Sequence, residues 1–244
     1  MGTNSIKRME ISRNLERVQE RINTAARKAG RSTDEIKIMV VTKTHPIEVI
    51  EWVLAAGVTD LGENYVEEAT EKIIALHQHS PCTWHMIGHV QSRKSSQVVE
   101  YFDYLHSLDS LKLAQRLSAR ARERNKTLPV LLEFNLSGEE SKSGWGVRSE
   151  SELEALLPDI ESITALENLT VCGLMTMPPY FDISENARPY FRMLRRLREL
   201  LQKKFQHIDW KELSMGMSGD FEIAIEEGAT WVRIGQAILG ERHQ

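Results

Sequence analysis

The chain has 244 residues, of which 41% are hydrophobic and 27% are charged, and its formal net charge is −4. This composition is ordinary for a globular protein, and the slight acidic excess argues against a surface for nucleic acid or for an anionic membrane. No stretch approaches the roughly 18 consecutive apolar residues of a membrane span, and the N-terminus has no apolar signal segment, so we expect a cytoplasmic protein.

The first predicted element is an amphipathic helix. Ile11, Val18 and Ile22 recur at helical spacing, and Gly30 is suited to the position just past a helix end. The pattern then changes to a short, apolar, β-branched segment at 36–42, which is typical of a strand covered on both faces. A strand followed by a helix recurs eight times, with predicted strands at residues 36–42, 58–62, 83–88, 104–108, 129–136, 169–176, 211–216 and 230–235.

Repeated strand–helix units indicate parallel strands joined by helical crossovers. Eight such units in a chain of this length fit a closed (β/α)₈ barrel, the TIM barrel. An open doubly wound sheet is the alternative, but the first strand is not followed by the GxGxxG pattern of dinucleotide-binding sheets. We therefore predict an α/β protein with one barrel domain over residues 1–244 and an extra N-terminal helix.

Polar residues and glycines gather where the predicted strands end, which is where ligands bind in these barrels. Lys43 directly follows the apolar strand at 36–42. An amine among apolar walls is disfavoured in its charged form, so it becomes a usable nucleophile for Schiff-base chemistry. The ordinary alternative is a lysine that extends its amine into water, and position alone does not choose between the two.

The segment LSMGMSGD at 213–220 places Ser214 at the end of the seventh strand and Ser218 where it is a natural N-cap of the next helix. The segment RIGQAIL at 233–239 follows in the eighth unit. Loops after strands seven and eight often bind phosphate in TIM barrels. Tight turns and a helix cap would explain either segment alone, but two neighbouring segments favour a phosphate site.

Other polar residues leave alternatives open. Arg233 is either a structural arginine or a hydrogen-bond donor to a ligand, and Asn64 either caps a helix or contacts a ligand. His85 and His89 lie on a strand and a loop rather than on one helical face, so they do not predict a zinc site. The basic run at 192–204 has leucines at helical spacing, which indicates a solvated amphipathic helix.

Several motifs, in this order, closely resemble the pyridoxal phosphate homeostasis protein family, whose members share the barrel of the alanine racemase N-terminal domain. They include VVTKTHP (40–46), GENYVEEA (62–69), WHMIGHVQSRK (84–94), LSMGMSGDFEIAIEEGA (213–229) and VRIGQAILGER (232–242). The resemblance covers nearly the whole chain after the first helix.

The resemblance implies that the chain binds pyridoxal 5′-phosphate (PLP). Lys43 occupies the family's Schiff-base position, where it would hold PLP as an internal aldimine. Ser214, Ser218 and Gly235 fall where the family seats the cofactor phosphate. Gln236 departs from the family, because many members carry Thr or Ser there, but its backbone N–H can still donate to the phosphate.

The resemblance also implies ring contacts, since Asn64 matches a residue near the cofactor ring and Arg233 matches the arginine that faces the pyridine nitrogen. A permanent cation there disfavours protonation of that nitrogen, so the ring is a poor electron sink. Alanine racemases use a tyrosine from a second domain, and we expect none here because the sequence ends just after the eighth unit.

The leading hypothesis is therefore a carrier or supplier of PLP in vitamin B6 and amino-acid homeostasis, acting as a monomer or weak dimer. Apo PLP-dependent enzymes are the candidate recipients, and neither nucleic acid nor membrane is expected as a partner. The alternatives are a PLP enzyme acting on amino acids, such as a slow racemase, and a Schiff-base aldolase acting on a phosphosugar.

Overall fold

The computed structural model describes residues 3–76 and 82–241. The strands are β1 (Lys37–Val41), β2 (Asp60–Glu63), β3 (Thr83–Met86), β4 (Tyr104–Leu108), β5 (Leu128–Asn135), β6 (Trp145–Gly146), β7 (Leu169–Thr176), β8 (Glu212–Ser214) and β9 (Trp231–Ile234). The helices are α1 (Thr3–Lys28), α2 (Ile47–Ala55), α3 (Val66–Leu76), α4 (Ser95–Tyr101), α5 (Leu111–Glu123), α6 (Glu150–Thr164), α7 (Arg188–Lys204), α8 (Phe221–Glu226) and α9 (Gln236–Leu239).

The strands form a closed parallel barrel. The sheet order is β4-β3-β2-β1-β9-β8-β7-β5-β6, and an additional pairing of β4 with β5 closes the ring. Strand β6 has two residues and pairs with the outer part of β5 through Phe134 and Trp145, so eight strands make up the barrel itself. The predicted (β/α)₈ barrel is confirmed, and β6 is a short addition within the loop at 137–146.

Helix α1 precedes the barrel and packs against α2, α8 and α9. Val18 and Ile22 on its inner face are buried, as their helical spacing predicts. Gly30 adopts a φ of 67°, the left-handed conformation that ends many helices and that glycine reaches at little cost. The extra N-terminal helix is therefore confirmed and ends where the sequence indicates.

Two apolar clusters lie on opposite sides of the strand wall. The large one fills the space between strands and helices, and it accounts for most of the buried hydrophobic residues. A small one, formed by Met39, Ile87 and Trp231 with Val41 against it, lies apart from the first. Met39 and Val41 hold alternate positions of β1, Trp231 is on β9, and Ile87 directly follows β3, so the small cluster lies inside the barrel.

Polar side chains share this interior. His106 on β4 and Ser214 on β8 are completely buried, and they contact each other although their strands are not neighbours in the sheet. Two side chains from non-adjacent strands of a closed barrel meet only when both point inward. In the described parts of the chain, no helix combines the length and the apolar character that crossing a bilayer requires.

Candidate functional site

A cavity of about 270 Å³ opens at the carboxyl ends of β1, β2, β8 and β9. Six of the seven residues that the sequence singles out line it: Lys43, Asn64, Ser218, Arg233, Gly235 and Gln236. These residues are far apart in the chain, and the parallel topology brings them together because every strand delivers its carboxyl end to the same rim. The seventh residue, Ser214, does not line the cavity.

Lys43 lies two residues beyond the end of β1, in a tight turn at the cavity wall. The next residue, Thr44, has a φ of 64°, which is rare for a β-branched side chain. Its N–H donates to Glu68 Oε1 over 2.6 Å. Backbone strain of this kind persists only where surrounding contacts impose it, and it is frequent at functional sites. The turn that carries Lys43 is therefore held in a costly conformation by its neighbours.

A buried ion pair supplies one of those contacts. Lys72 Nζ lies 2.8 Å from Glu63 Oε1, and both side chains are almost completely buried. The same ammonium donates to the carbonyl oxygen of Thr42 over 2.9 Å, and the Thr42 hydroxyl donates to Glu63 Oε1 over 2.7 Å. Burial raises the pKa of Glu63, and Lys72 opposes this effect. The pair thus ties the carboxyl ends of β1 and β2 to α3, directly beneath the turn of Lys43.

Asn64 reaches the cavity because the chain passes very close to it at Gly88. A Cβ atom on Gly88 would stand 2.2 Å from the Asn64 carbonyl oxygen, so only glycine fits there without displacing Asn64. The side-chain oxygen Oδ1 of Asn64 is buried and has no hydrogen-bond partner within the described chain. Asn64 is therefore not a helix cap through this atom, and a ligand donor in the cavity would satisfy it.

A turn at 217–220 forms another wall of the cavity. The N–H groups of Ser218 and Gly219 make no hydrogen bond to the residues that the structure describes. The Ser218 hydroxyl accepts from the Ala237 N–H over 3.1 Å, which joins this turn to the start of α9. The prediction that Ser218 is the N-cap of the next helix is wrong, because Asp220 occupies that position, one residue before α8.

Arg233 presents a buried cation to the cavity. Its Nη1 donates to Ser214 Oγ over 2.7 Å, and its Nη2 donates to the Thr176 carbonyl oxygen over 3.0 Å. Burial lowers the pKa of Arg233 to about 10, against the opposing charges of Asp220 and Glu133. The guanidinium is thus still protonated at neutral pH, and its two observed acceptors are neutral groups.

Ser214 lies behind Arg233 rather than on the cavity wall. Its hydroxyl stands between the guanidinium and His106 Nδ1, at 2.7 Å and 2.8 Å respectively. Direct contact of Ser214 with a phosphate stays a prediction. His106 is not among the residues that the sequence singles out, although a histidine at the centre of the short strand at 104–108 is a usable signal.

The loop that follows β7 closes the cavity on one side. Met177, Pro179, Tyr180 and Phe181 line this side, and Tyr180 is 89% exposed. None of these four residues is among those that the sequence singles out as site residues. The apolar lining on this side and the polar groups on the other make a pocket suited to a small, partly apolar anion.

Comparison with known proteins places the chain in a family. Residues 13–243 match the family model of the alanine racemase N-terminal domain. The chain is 42% identical over 235 residues to the pyridoxal phosphate homeostasis protein of Vibrio alginolyticus, covering 95% of this chain and 97% of that protein. It is 43% identical over 234 residues to the protein of the same name from Aquifex aeolicus, covering 96% and 99%.

Solved structures agree with these matches. PipY of Synechococcus elongatus PCC7942, solved with PLP bound, superposes with a TM-score of 0.80 at 31% identity, covering 94% of this chain and 100% of PipY. An alanine racemase of Clostridium difficile 630 superposes with a TM-score of 0.67 at 17% identity and shares the fold, covering 96% of this chain and 57% of the racemase. The chain therefore belongs to the pyridoxal phosphate homeostasis protein family, as its motifs predict.

Proposed function

We propose that this protein binds PLP in the cavity and takes part in PLP homeostasis. The observation that carries the proposal is the convergence of Lys43, Asn64, Ser218, Arg233, Gly235 and Gln236 on one pocket. The relatives named for this role match almost the whole chain, and PipY was solved with PLP bound.

The protein groups in the cavity suit the two ends of PLP. The N–H groups of Ser218 and Gly219, which have no partner among the described residues, are donors for a phosphate, and Gly235 and Gln236 lie beside them on the cavity wall. Because Gln236 is the first residue of α9, its backbone can face the phosphate whatever its side chain does. The absence of a Thr or Ser hydroxyl at this position should therefore weaken binding only modestly.

At the ring end, the Arg233 guanidinium would face the pyridine nitrogen. Asn64 Oδ1, which has no partner in the described part of the chain, would accept a hydrogen bond from a ring substituent. We assign covalent attachment of the cofactor aldehyde to the amine of Lys43, which lines the same cavity. When bound, PLP supplies a reactive aldehyde and a conjugated ring that accepts electrons. Arg233 limits how well the ring accepts electrons, because a fixed cation disfavours protonation of the ring nitrogen.

A reactive aldehyde on a ring that is a poor electron sink favours storage and delivery of PLP over dedicated catalysis. We propose a cytoplasmic carrier, monomeric or weakly dimeric, that releases PLP to apo-enzymes. Loading the protein with PLP and mixing it with an apo-aminotransferase tests this role, with an aldehyde trap present to consume free PLP. Reactivation in the presence of the trap supports delivery, whereas complete loss of reactivation argues that the cofactor is only stored.

The binding assignment is tested by visible absorbance with added PLP, before and after borohydride reduction, followed by peptide mapping. We expect the reduced adduct on Lys43, and Lys43→Ala should lose it. Lys112→Ala, which removes an exposed lysine of α5, is the control and should leave the adduct unchanged. A wild-type protein that forms no adduct, or an equal adduct in Lys43→Ala, would contradict the assignment.

Arg233→Glu tests the ring contact separately. A carboxylate in place of the guanidinium should favour the protonated pyridine ring, so the absorbance of the bound cofactor should shift towards the protonated form. An unchanged spectrum with normal cofactor content would mean that Arg233 does not face the ring.

A further inference from the structure

A continuous series of hydrogen bonds runs through the inside of the barrel, starting where Arg233 Nη1 donates to Ser214 Oγ. Ser214 Oγ lies 2.8 Å from His106 Nδ1. His106 Nε2 lies 3.0 Å from His85 Nδ1, and His85 Nε2 lies 3.0 Å from Asp60 Oδ1. Asp60 is the first residue of β2, whereas Arg233 lies at the cavity end of β9. The series, which we call the interior column, therefore spans the barrel from the cavity to the opposite end.

The donors and acceptors of the interior column can be assigned from its two ends. A guanidinium only donates, so the Ser214 oxygen accepts from Arg233. The pKa of His106 is lowered well below its ordinary value by complete burial, and the positive charge of Arg233 acts in the same direction. His106 is thus neutral and carries one ring proton. Which nitrogen holds that proton depends on the groups that face the two ring nitrogens, Ser214 Oγ and His85 Nδ1.

At the far end, burial alone would raise the pKa of Asp60, but hydrogen bonds from His85 and Thr59 outweigh it and the pKa is lowered. Asp60 is therefore a carboxylate, which can only accept, and the proton of His85 lies on Nε2. Among the described residues, the partner for the Ser214 hydroxyl proton is His106 Nδ1, so the neutral His106 ring holds its proton on Nε2 and donates it to His85 Nδ1. Every hydrogen bond in the column points away from Arg233 and ends on a negative charge.

The direction of these hydrogen bonds strengthens the contact that holds the Arg233 guanidinium. In the described structure, the hydrogen bonds of the Arg233 guanidinium go to one hydroxyl and one carbonyl oxygen, with no carboxylate among them. The Ser214 hydroxyl donates its own proton to His106, so its oxygen is a better acceptor for Arg233 than an isolated hydroxyl would be. The column thus couples the cavity cation to a carboxylate that does not touch it.

We propose that Ser214, His106 and His85 are positioning residues that fix the guanidinium of Arg233 against the pyridine nitrogen of bound PLP. The inference rests on the proposed function for the identity of the ligand. Ser214 then acts through Arg233 rather than by touching the phosphate. The column keeps the ring nitrogen unprotonated, and it does so from inside the barrel, out of reach of solvent at the cavity.

The hydrogen-bond directions are tested without any cofactor. In ¹⁵N-histidine-labelled protein, two-bond ¹⁵N–¹H correlations report which ring nitrogen carries a proton, and His85→Gln and His106→Gln assign the two signals. We expect each ring to carry its proton on Nε2, with no proton on Nδ1. A proton on Nδ1 of either ring, or an imidazolium form of His106, would overturn the column.

The link to the cofactor is tested with Ser214→Ala. Loss of the hydroxyl frees one end of the guanidinium, so the absorbance titration of bound PLP should move to higher pH by about one unit or more. Affinity for PLP should stay within about threefold of wild type, because no phosphate contact is lost. Ser214→Thr keeps the hydroxyl and should restore the wild-type titration if the added methyl is tolerated.

The outcomes separate the two proposals. A Ser214→Ala protein with the wild-type titration midpoint would refute the positioning role. If Ser214→Ala loses affinity for PLP but not for pyridoxal, which lacks the phosphate, Ser214 is a phosphate ligand instead. If wild-type protein binds no PLP, the proposed function fails and the cofactor role of the column fails with it, while the NMR result still decides whether the column exists.

Discussion

Glu133 on β5 is a buried carboxyl group whose ionisation should make the stability of this protein depend on pH. The residue is 2% exposed, and Oε2 has no hydrogen-bond partner in the described chain. Burial raises the pKa of Glu133 to about 7, and the negative charge of Asp109 adds to this rise, while Arg233 opposes it. Ionising Glu133 in the folded protein thus places a charge where water does not compensate it.

The sign and size of the effect follow from proton linkage. In the unfolded chain the carboxyl has its ordinary pKa of 4.5, so between there and about 7 the folded state binds more protons than the unfolded state. The stabilisation that protonated Glu133 contributes is complete at pH values below its pKa in the unfolded chain. It is lost as pH rises through the pKa of Glu133 in the folded protein. A difference of about 2.5 pKa units corresponds to about 3 kcal/mol of unfolding free energy.

Glu133→Gln removes this charge with almost no change of shape. We expect the variant to gain stability relative to wild type as pH rises from about 5 to about 8, by about 3 kcal/mol in total. Urea unfolding at a series of pH values measures the difference, in which the other titrating groups cancel. Glu154→Gln, the same change at an exposed site on α6, should show no such trend. A pH-independent difference for Glu133→Gln would refute the reasoning, because it would mean that Glu133 ionises as easily in the fold as in the unfolded chain.

Two further substitutions test the contacts that hold the cavity walls in place. Lys72→Met leaves the Glu63 carboxylate buried without its partner, so we expect a loss of about 3–5 kcal/mol in urea unfolding. Adding Glu63→Gln should recover much of that loss, and no recovery would contradict the ion-pair argument. Gly88→Ala forces a Cβ against Asn64 and should cost about 1–3 kcal/mol and weaken PLP binding. Gly146→Ala has open space around its Cβ and is the control, so an equal cost in both variants would count against a local clash.

Much of the fold could be predicted because its signals are local. The period-3.6 pattern of Ile11, Val18 and Ile22 and the apolar β-branched segment at 36–42 depend on neighbouring residues alone. The alternation of strand and helix fixes parallel strands, and parallel strands fix which ends carry the ligand rim. Lys43 and Arg233 could therefore be assigned to one rim before any distance was known. The prediction that the structure contradicts concerns a helix end, because the N-cap of α8 is Asp220 and not Ser218.

The sequence by itself determined the barrel, the rim and the family of this protein, because periodicity and motif order are properties of the linear chain. Only the tertiary structure decided which inward-facing side chains meet. His106 and Ser214 are 108 residues apart, and their contact depends on barrel closure and on the register of strands that are not neighbours. A one-residue change of register would turn either side chain to the other face of the sheet, so no local pattern encodes the pairing. The interior column behind Arg233, and the position of Ser214 within it, follow from that closure.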